Sequence, residues 1–302
     1  MTESRPVVVS CVGDGDVSGD VAVGPVPWWS VTKTCIAAAV LLLAERGKLR
    51  LDDRVAGRPF TLRQLLQHSA GVRDYSELSE YFAAVERNDP PWSRDELLRR
   101  VGLDVPAYEP GVGWTYSNAG YLLVRHAVED AFGGHLDGAL QELVFAPLGI
   151  TGVRIAGTPE DLAASAFGNE RRYHPGWVYH GLALGPPRDA ALWMHRLMTG
   201  HLLAPESLGL MLDRRGLDVP LTPARPWSTA GYGLGVMMDI ATPLGRCAGH
   251  SGEGPGSVCA VYHFPDLEPP RTAAAFAPHG NEAEVEHLAI ETAALEDAKG
   301  PG

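Results

Sequence analysis

The chain carries β-like runs at both of its ends and helical patterns between them. Residues 6–12 form a short apolar run that a Gly-Asp-Gly-Asp turn interrupts. The last third holds further short runs, rich in β-branched or small residues and separated by Gly and Pro, at 231–241, 246–250, 257–264 and 271–277. Successive short strands of this kind predict an antiparallel sheet. Because strands at both ends surround a helical middle, the order of elements predicts an α+β fold with the helical block inserted into the sheet domain.

Helical signals fill the middle and the end of the chain. Apolar residues recur at helical spacing from Ser30 to about Gly47, and residues 61–148 repeat a capping residue followed by an amphipathic turn. A last helical pattern covers residues 281–298. With 302 residues, of which 45% are hydrophobic, the chain can bury a large core. We expect one domain over residues 1–302, with an α/β part at 1–57 and 186–302 and a helical part at 58–185.

Charge and hydropathy argue against several classes of partner. A formal net charge of -12 disfavours nucleic acid, because phosphate binding needs a positive surface. No apolar run reaches the roughly 18 residues that would cross a bilayer. Residues 1–6 lack the basic start and apolar stretch of a signal peptide. The sequence therefore predicts a cytoplasmic protein that binds neither membrane nor nucleic acid, and it leaves the oligomeric state open.

The four cysteines stand in apolar strand-like or helical runs. None forms a CxxC pair or a Cys/His cluster at metal-ligand spacing. We expect buried free thiols and no metal at Cys11, Cys35, Cys247 and Cys259.

The most informative pair is Ser30 and Lys33, at the start of the first helical pattern. A serine hydroxyl needs an adjacent base to become a good nucleophile, and residues three apart on a helix share a face. The alternative is that Ser30 merely caps the helix. With three lysines and 14 serines in the chain, chance yields such a pair roughly once in seven tries. Arginine, which the chain uses at most other basic positions, cannot serve as a neutral base, so a lysine here favours chemistry.

Two further motifs carry suitable polar groups. Tyr116-Ser-Asn118 follows a Pro-Gly turn, and a phenol near a lysine can pass protons while an amide both donates and accepts hydrogen bonds. His250-Ser-Gly252 stands where a predicted strand would end in a glycine-rich turn. Taken alone, the first motif is better explained by Ser117 or Asn118 as an ordinary cap, and the second motif is unremarkable.

The three motifs together resemble those of the serine β-lactamase and penicillin-binding-protein superfamily, in its class C-like branch. That branch includes class C β-lactamases, DD-peptidases, D-aminopeptidases and family VIII carboxylesterases, and its signature is SxxK, then YxN, then KTG, HxG or WxG. The resemblance covers nearly the whole chain. It implies a β-lactamase/transpeptidase-like fold, an antiparallel sheet flanked by N- and C-terminal helices with an inserted all-helical subdomain. Since few residues precede Ser30, the opening hairpin should be abbreviated.

The resemblance also implies a role for each motif position. Ser30 would attack a carbonyl to give an acyl-enzyme, while Lys33 and Tyr116 would take and return its proton. Which of the two is the base in acylation stays open. The backbone N–H groups of Ser30 and Glu253 would form the oxyanion hole. The expected substrate-binding residues are Asn118, His250, Gly252, Glu253 and His180, the last in an aromatic, glycine-rich segment that either walls the cleft or packs as a loop.

The implied function is a serine hydrolase that acts on a small ester or amide without a metal or organic cofactor. It would be carboxylesterase-like, or a D-amino-acid amidase or peptidase. The alternatives are a β-lactamase or DD-carboxypeptidase and, from another class, a non-catalytic assembly protein, which the retained Ser30, Lys33 and Tyr116 disfavour. A histidine at position 250 is largely neutral at pH 7, so the cleft lacks a fixed cation for a substrate carboxylate. We therefore expect neutral substrates and slow or absent β-lactam hydrolysis.

Overall fold

A computed structural model describes residues 5–13, 15–55, 57–168, 172–241 and 244–297. Its strands are Val7–Val12 (β1), Asp16–Gly19 (β2), Val26–Pro27 (β3), Arg154–Ile155 (β4), Ala183–Gly185 (β5), Arg215–Gly216 (β6), Gly231–Tyr232 (β7), Met237–Ala241 (β8), Gly245–Gly254 (β9), Ser257–Phe264 (β10) and Arg271–Ala277 (β11). Its α-helices are Val31–Glu45 (α1), Leu62–Leu66 (α2), Ser79–Glu86 (α3), Arg94–Arg100 (α4), Asn118–Phe132 (α5), Leu136–Leu140 (α6), Pro159–Ala163 (α7), Pro187–Met198 (α8), Pro205–Met211 (α9) and Glu282–Asp297 (α10).

The main sheet joins the two ends of the chain. Eight antiparallel strands follow the order β2-β1-β11-β10-β9-β8-β7-β6, so the first long strand lies directly beside the last. The predicted antiparallel sheet and the predicted fold class are confirmed. β1 and β2, of six and four residues, form an antiparallel hairpin at one edge of this sheet.

Helices cover both faces of this sheet, and strand periodicity explains how. Alternate residues of a strand point to opposite faces. On β10, Val258, Ala260 and Tyr262 pack with α10, whereas Cys259 and Val261 join the core around α1 and α8. The four cysteines are buried and free, as predicted.

Helix α1 is buried over residues 31–43, which is why its sequence is apolar all round. The sheet strand β9 lies on one side of it, and α5 and α6 lie on the other. Two threonines tie the helix to its surroundings. The Thr32 hydroxyl accepts from the Ala183 N–H at 3.0 Å, and the Thr34 hydroxyl donates to the Gly235 carbonyl at 2.7 Å. The first turn of α1 is therefore held rigidly.

The middle of the chain holds most of the remaining helices and a small sheet, in the strand order β3-β5-β4. This sheet pairs the residues just before Ser30 with residues 183–185. The division into an α/β part and a helical part at 58–185 stays a prediction.

Several element boundaries differ from the sequence prediction. The run at 231–241 forms two strands, and the strand predicted to end near His250 continues to Gly254 as part of a β9–β10 hairpin. In α10, Leu295 is 67% exposed, whereas Glu286 is fully buried. Polar side chains that are described below form hydrogen bonds with the Glu286 carboxylate. Residue 298 of the predicted last helix lies outside the described residues.

Candidate active site

Ser30 stands immediately before α1 with its hydroxyl available for chemistry. Its side chain makes no capping hydrogen bond to the helix, so the interpretation of Ser30 as a simple cap is wrong. Instead, the Lys33 Nζ atom lies 3.0 Å from the Ser30 Oγ atom. The spacing of three residues brings the two side chains together, as predicted.

The residue before the nucleophile candidate adopts a strained backbone. Trp29 has a φ of 41°, in the left-handed region that costs a non-glycine residue roughly 1–3 kcal/mol. Its indole N–H donates to the Ser257 hydroxyl at 2.8 Å, and its ring fills the space beside Gly254, where a Cβ atom would lie 2.2 Å from it. These contacts with the β9–β10 turn hold Trp29 and thereby fix the direction in which Ser30 projects.

Lys33 is fully buried and contacts three polar groups. Besides Ser30, its Nζ atom lies 2.7 Å from the Asn118 Oδ1 atom and 3.3 Å from the His180 Nε2 atom. Burial lowers the pKa of the amine to about 7, and the carboxylates of Asp74 and Glu282 oppose this shift. Because the ordinary pKa of lysine is above 10, the environment makes Lys33 a base that is substantially neutral near pH 7.

Asp74 is a site residue that the sequence reasoning missed. It is 3% exposed, and it accepts from the Asn118 N–H at 2.7 Å, the Asn118 Nδ2 atom at 2.8 Å and the Ala119 N–H at 3.2 Å. Since a carboxylate only accepts, the Asn118 amide nitrogen must face Asp74 and its oxygen must face Lys33. Asp74 lies in an ordinary loop 44 residues before Asn118, and no local pattern marks it.

Tyr116 completes the group around Ser30. Its ring lies 4.9 Å from the Lys33 Nζ atom and packs against His68, with ring centroids 4.3 Å apart. Burial raises the pKa of the phenol well above 10, and a hydrogen bond with Ser30 opposes part of that rise. The phenol is therefore neutral over the range in which Lys33 loses its proton.

His250 lies behind Tyr116 and is fully buried. Its Nδ1 atom lies 2.5 Å from the Ser251 carbonyl oxygen, which can only accept, so Nδ1 carries the proton and Nε2 accepts from the Tyr232 hydroxyl at 3.0 Å. Burial lowers the pKa of His250 to about 3, with Lys33 as a smaller cause. The ring is thus neutral at pH 7, and its direct contact with a substrate stays a prediction.

Gly252 and Glu253 lie on β9 beside the start of α1. A Cβ atom at position 252 would lie only 2.5 Å from the Ser30 backbone nitrogen, so the strand approaches the helix closely enough to require glycine. Among the described residues, no backbone acceptor binds the Ser30 N–H. This N–H, at the positive end of a long helix, is thus available to an anion.

A cleft of about 980 Å³ opens in front of Ser30. Of the predicted residues, Ser30, Asn118, His180 and Glu253 line it. One wall is aromatic or apolar and the other is the turn after β9, and neither holds a lysine or arginine among the lining residues described. The aromatic and apolar lining includes Trp29, Tyr75, Tyr81, Phe82, Val85, Tyr173 and Val178.

A buried polar network supports the third motif from the opposite face of the sheet. The Ser251 hydroxyl lies 2.9 Å from the Tyr262 hydroxyl and donates to Glu286, which is fully buried. Arg225 pairs with the same carboxylate, its Nε atom 2.9 Å from Oε2. Sequence reasoning missed this network because the partners of Ser251 lie in a loop (Arg225), on β10 (Tyr262) and on α10 (Glu286), outside the three motifs.

No group of three His, Cys, Asp or Glu side chains within the described ranges is arranged as metal ligands would be. A reaction without metal or organic cofactor stays an expectation. In the same ranges, no helix has the length and apolar character to cross a membrane.

Comparison with known proteins identifies the family to which the chain belongs. The family model described as Beta-lactamase matches residues 24–297. The chain therefore belongs to the β-lactamase family, within the superfamily that its three motifs resemble.

Individual relatives agree with this membership. The chain is 31% identical over 151 residues to penicillin-binding protein 4* of Bacillus subtilis (strain 168), covering 46% of this chain and 33% of that protein. It is 34% identical over 146 residues to esterase EstB of Burkholderia gladioli, covering 40% of this chain and 36% of that protein. The matched segments thus span about a third of the length of these curated relatives.

Solved structures of the same fold extend over the whole chain. A D-amino acid amidase from Ochrobactrum anthropi SV3, complexed with D-phenylalanine, matches with a TM-score of 0.79 and 20% identity, covering 98% of this chain and 94% of that one. At this identity the match establishes the fold.

Proposed function

We propose that the chain is a serine hydrolase that acts through an acyl-enzyme on a small ester or amide. The observation that carries the proposal is the Ser30–Lys33 pair, in which an uncapped hydroxyl at the cleft lies 3.0 Å from a buried amine whose pKa is about 7. A nucleophile within hydrogen-bond reach of a base that is neutral at the working pH is the arrangement that acyl transfer requires.

The proposed acylation begins with proton transfer from Ser30 Oγ to the neutral Lys33 amine. The Oγ atom forms a bond to the substrate carbonyl carbon, and the oxyanion is held by the backbone N–H groups of Ser30 and Glu253. The leaving group departs with a proton that Lys33 returns, directly or through Tyr116. A water then attacks the acyl-enzyme by the reverse proton path. The raised pKa of the Tyr116 phenol favours Lys33 as the acylation base.

The cleft lining supports a neutral substrate with an apolar or aromatic acyl group. Phe82 is 57% exposed on the cleft wall and offers an apolar surface to such a group. The charged residues on the wall are Glu86 and Glu253, which repel a substrate carboxylate. An esterase and a D-amino acid amidase are among the proteins to which the chain is similar, which supports an ester or amide substrate.

We expect p-nitrophenyl acetate to be hydrolysed with a higher kcat/KM than nitrocefin, because the described residues that line the cleft include no lysine or arginine to bind the nitrocefin carboxylate. The measurement is the ratio of the two kcat/KM values for the purified protein, with Ser30→Ala as the blank. A wild-type protein that favours nitrocefin would assign it to β-lactam hydrolysis, the second candidate function.

A non-catalytic assembly role is the candidate from another class. An assembly protein without catalytic activity would need neither a hydrogen bond between Ser30 and Lys33 nor a lowered pKa of the Lys33 amine. Labelling by a fluorophosphonate that is lost in Ser30→Ala separates the two readings, since a scaffold would label equally in both proteins.

A cytoplasmic location and the absence of a nucleic-acid partner are also parts of the proposal. Four buried free thiols suit a reducing compartment, and the net charge of -12 suits a protein that avoids phosphate backbones. Cell fractionation of the host tests the location.

A further inference from the structure

His180 contacts the proposed base but has no role in the acyl transfer described above. Its ring is 2% exposed, and its Nε2 atom lies 3.3 Å from the Lys33 Nζ atom. Its Nδ1 atom is buried without a hydrogen-bond partner among the described residues. A buried histidine held against a catalytic amine calls for a physical reason.

The number of donors on Lys33 supplies that reason. A neutral amine has two N–H groups and one lone pair, and Lys33 has three polar neighbours, Ser30, Asn118 and His180. Asn118 presents an oxygen that can only accept, since its nitrogen is bound to Asp74. One N–H is therefore committed to Asn118. The second N–H and the lone pair remain for His180 and Ser30.

We infer that His180 is a positioning residue whose Nε2 atom accepts the second N–H of neutral Lys33, so that the lone pair of the amine faces the Ser30 hydroxyl. The inference rests on the proposed function. Without an acceptor at this position, the amine can rotate about its last bond and turn its lone pair away from Ser30. When Asn118 accepts one N–H of the amine and His180 accepts the other, the lone pair of Lys33 has a single orientation, toward Ser30.

The state of the imidazole agrees with this role. Burial lowers the pKa of His180 well below its ordinary value, with Lys33 as a smaller cause, so the ring is neutral and one nitrogen is free to accept. A neutral imidazole carries one ring proton, so with Nε2 facing Lys33 as acceptor that proton lies on Nδ1.

Loss of the His180 acceptor should also lower the pKa of Lys33, because an acceptor stabilises the ammonium form more than the amine. The pH dependence of kcat/KM then reports the contact. Within the described part of the chain, the other titratable groups that face Lys33 are Tyr116, Tyr121, Asp74, His68, His250 and Glu282.

The test compares His180→Gln with His180→Phe, assayed with p-nitrophenyl acetate. Gln keeps an acceptor near the Nε2 position, while Phe fills the space without one. We expect kcat/KM to fall about 10- to 100-fold in His180→Phe. The acidic limb of the pH profile of kcat/KM, which we expect near pH 7 in wild type, should move to lower pH in this variant. His180→Gln should recover most of the activity and the wild-type limb.

The matched control is His135→Phe at an exposed histidine, which should leave the pH profile unchanged. If thermal melting shows that His180→Phe is unfolded, His180→Ala replaces it. Equal losses in the Gln and Phe variants with an unshifted limb would overturn the positioning role and assign His180 to packing. The proposed function fails separately, if wild-type Ser30 is not acylated at all.

Discussion

Replacing Lys33 with alanine is expected to lower kcat roughly 10²- to 10⁴-fold, the range that a positioned general base contributes. The variant loses the proton acceptor that lies 3.0 Å from the Ser30 Oγ atom, while Ser30 and the cleft remain. Tyr116→Phe should cost a similar factor if the phenol belongs to the same proton path. The measurement is the steady-state hydrolysis of p-nitrophenyl acetate by each variant, with melting curves to confirm folding.

The double variant decides whether the two residues act as one unit. Groups that act together in catalysis are strongly non-additive. We therefore expect Lys33→Ala combined with Tyr116→Phe to lose little more activity than either single variant. Lys48→Ala, at the exposed C-terminal side of α1, is the matched lysine control and should keep full activity. Fully multiplicative losses would mean that Lys33 and Tyr116 serve separate steps.

A single methyl group at position 252 is expected to lower kcat at least roughly 10²-fold, the cost of losing one oxyanion-hole donor. In Gly252→Ala the new Cβ atom would lie 2.5 Å from the Ser30 backbone nitrogen and 2.7 Å from the Trp29 Cβ atom. Strand β9 and the start of α1 must then separate. This separation moves the Ser30 N–H away from the proposed oxyanion position.

Gly209→Ala is the control for this change. Gly209 lies within α9, where a Cβ atom would contact nothing within 4 Å, so the substitution should leave kcat unchanged. If Gly252→Ala folds and keeps wild-type kcat, the close approach of β9 to Ser30 has no part in catalysis.

The residues that form sequence motifs could be predicted, because their partners lie close along the chain or belong to a known signature. The helix that begins after Ser30 places Lys33 on the same face, so spacing alone brings their side chains together. The sheet was predictable for a similar reason, since short runs rich in β-branched or small residues, separated by Gly and Pro, mark its strands at both ends of the chain.

The groups that orient those residues could not be predicted, because they act across the fold. Asp74 fixes the Asn118 amide from a loop 44 residues away, and Glu286 reaches Ser251 from the last helix. Neither carboxylate stands in a pattern. Each carboxylate can be buried because the tertiary fold places hydrogen-bond donors beside it.

His250 illustrates the same limit from within a motif. The sequence predicts its neutral state, yet not that the ring would be fully buried with both nitrogens occupied by Ser251 and Tyr232. A lysine at position 250 would therefore enter a site without a carboxylate partner and would destabilise the fold.

Mass spectrometry of the trapped protein tests most directly whether Ser30 is the nucleophile that forms the covalent intermediate. The protein is incubated with a fluorophosphonate, digested, and its adducts are mapped. We expect one adduct, on the Ser30 side chain, in wild type and in the Gly209→Ala control. Labelling of Lys33→Ala should be much slower. An adduct on a different serine, or equal labelling of wild type and Ser30→Ala, would show that Ser30 is not the nucleophile.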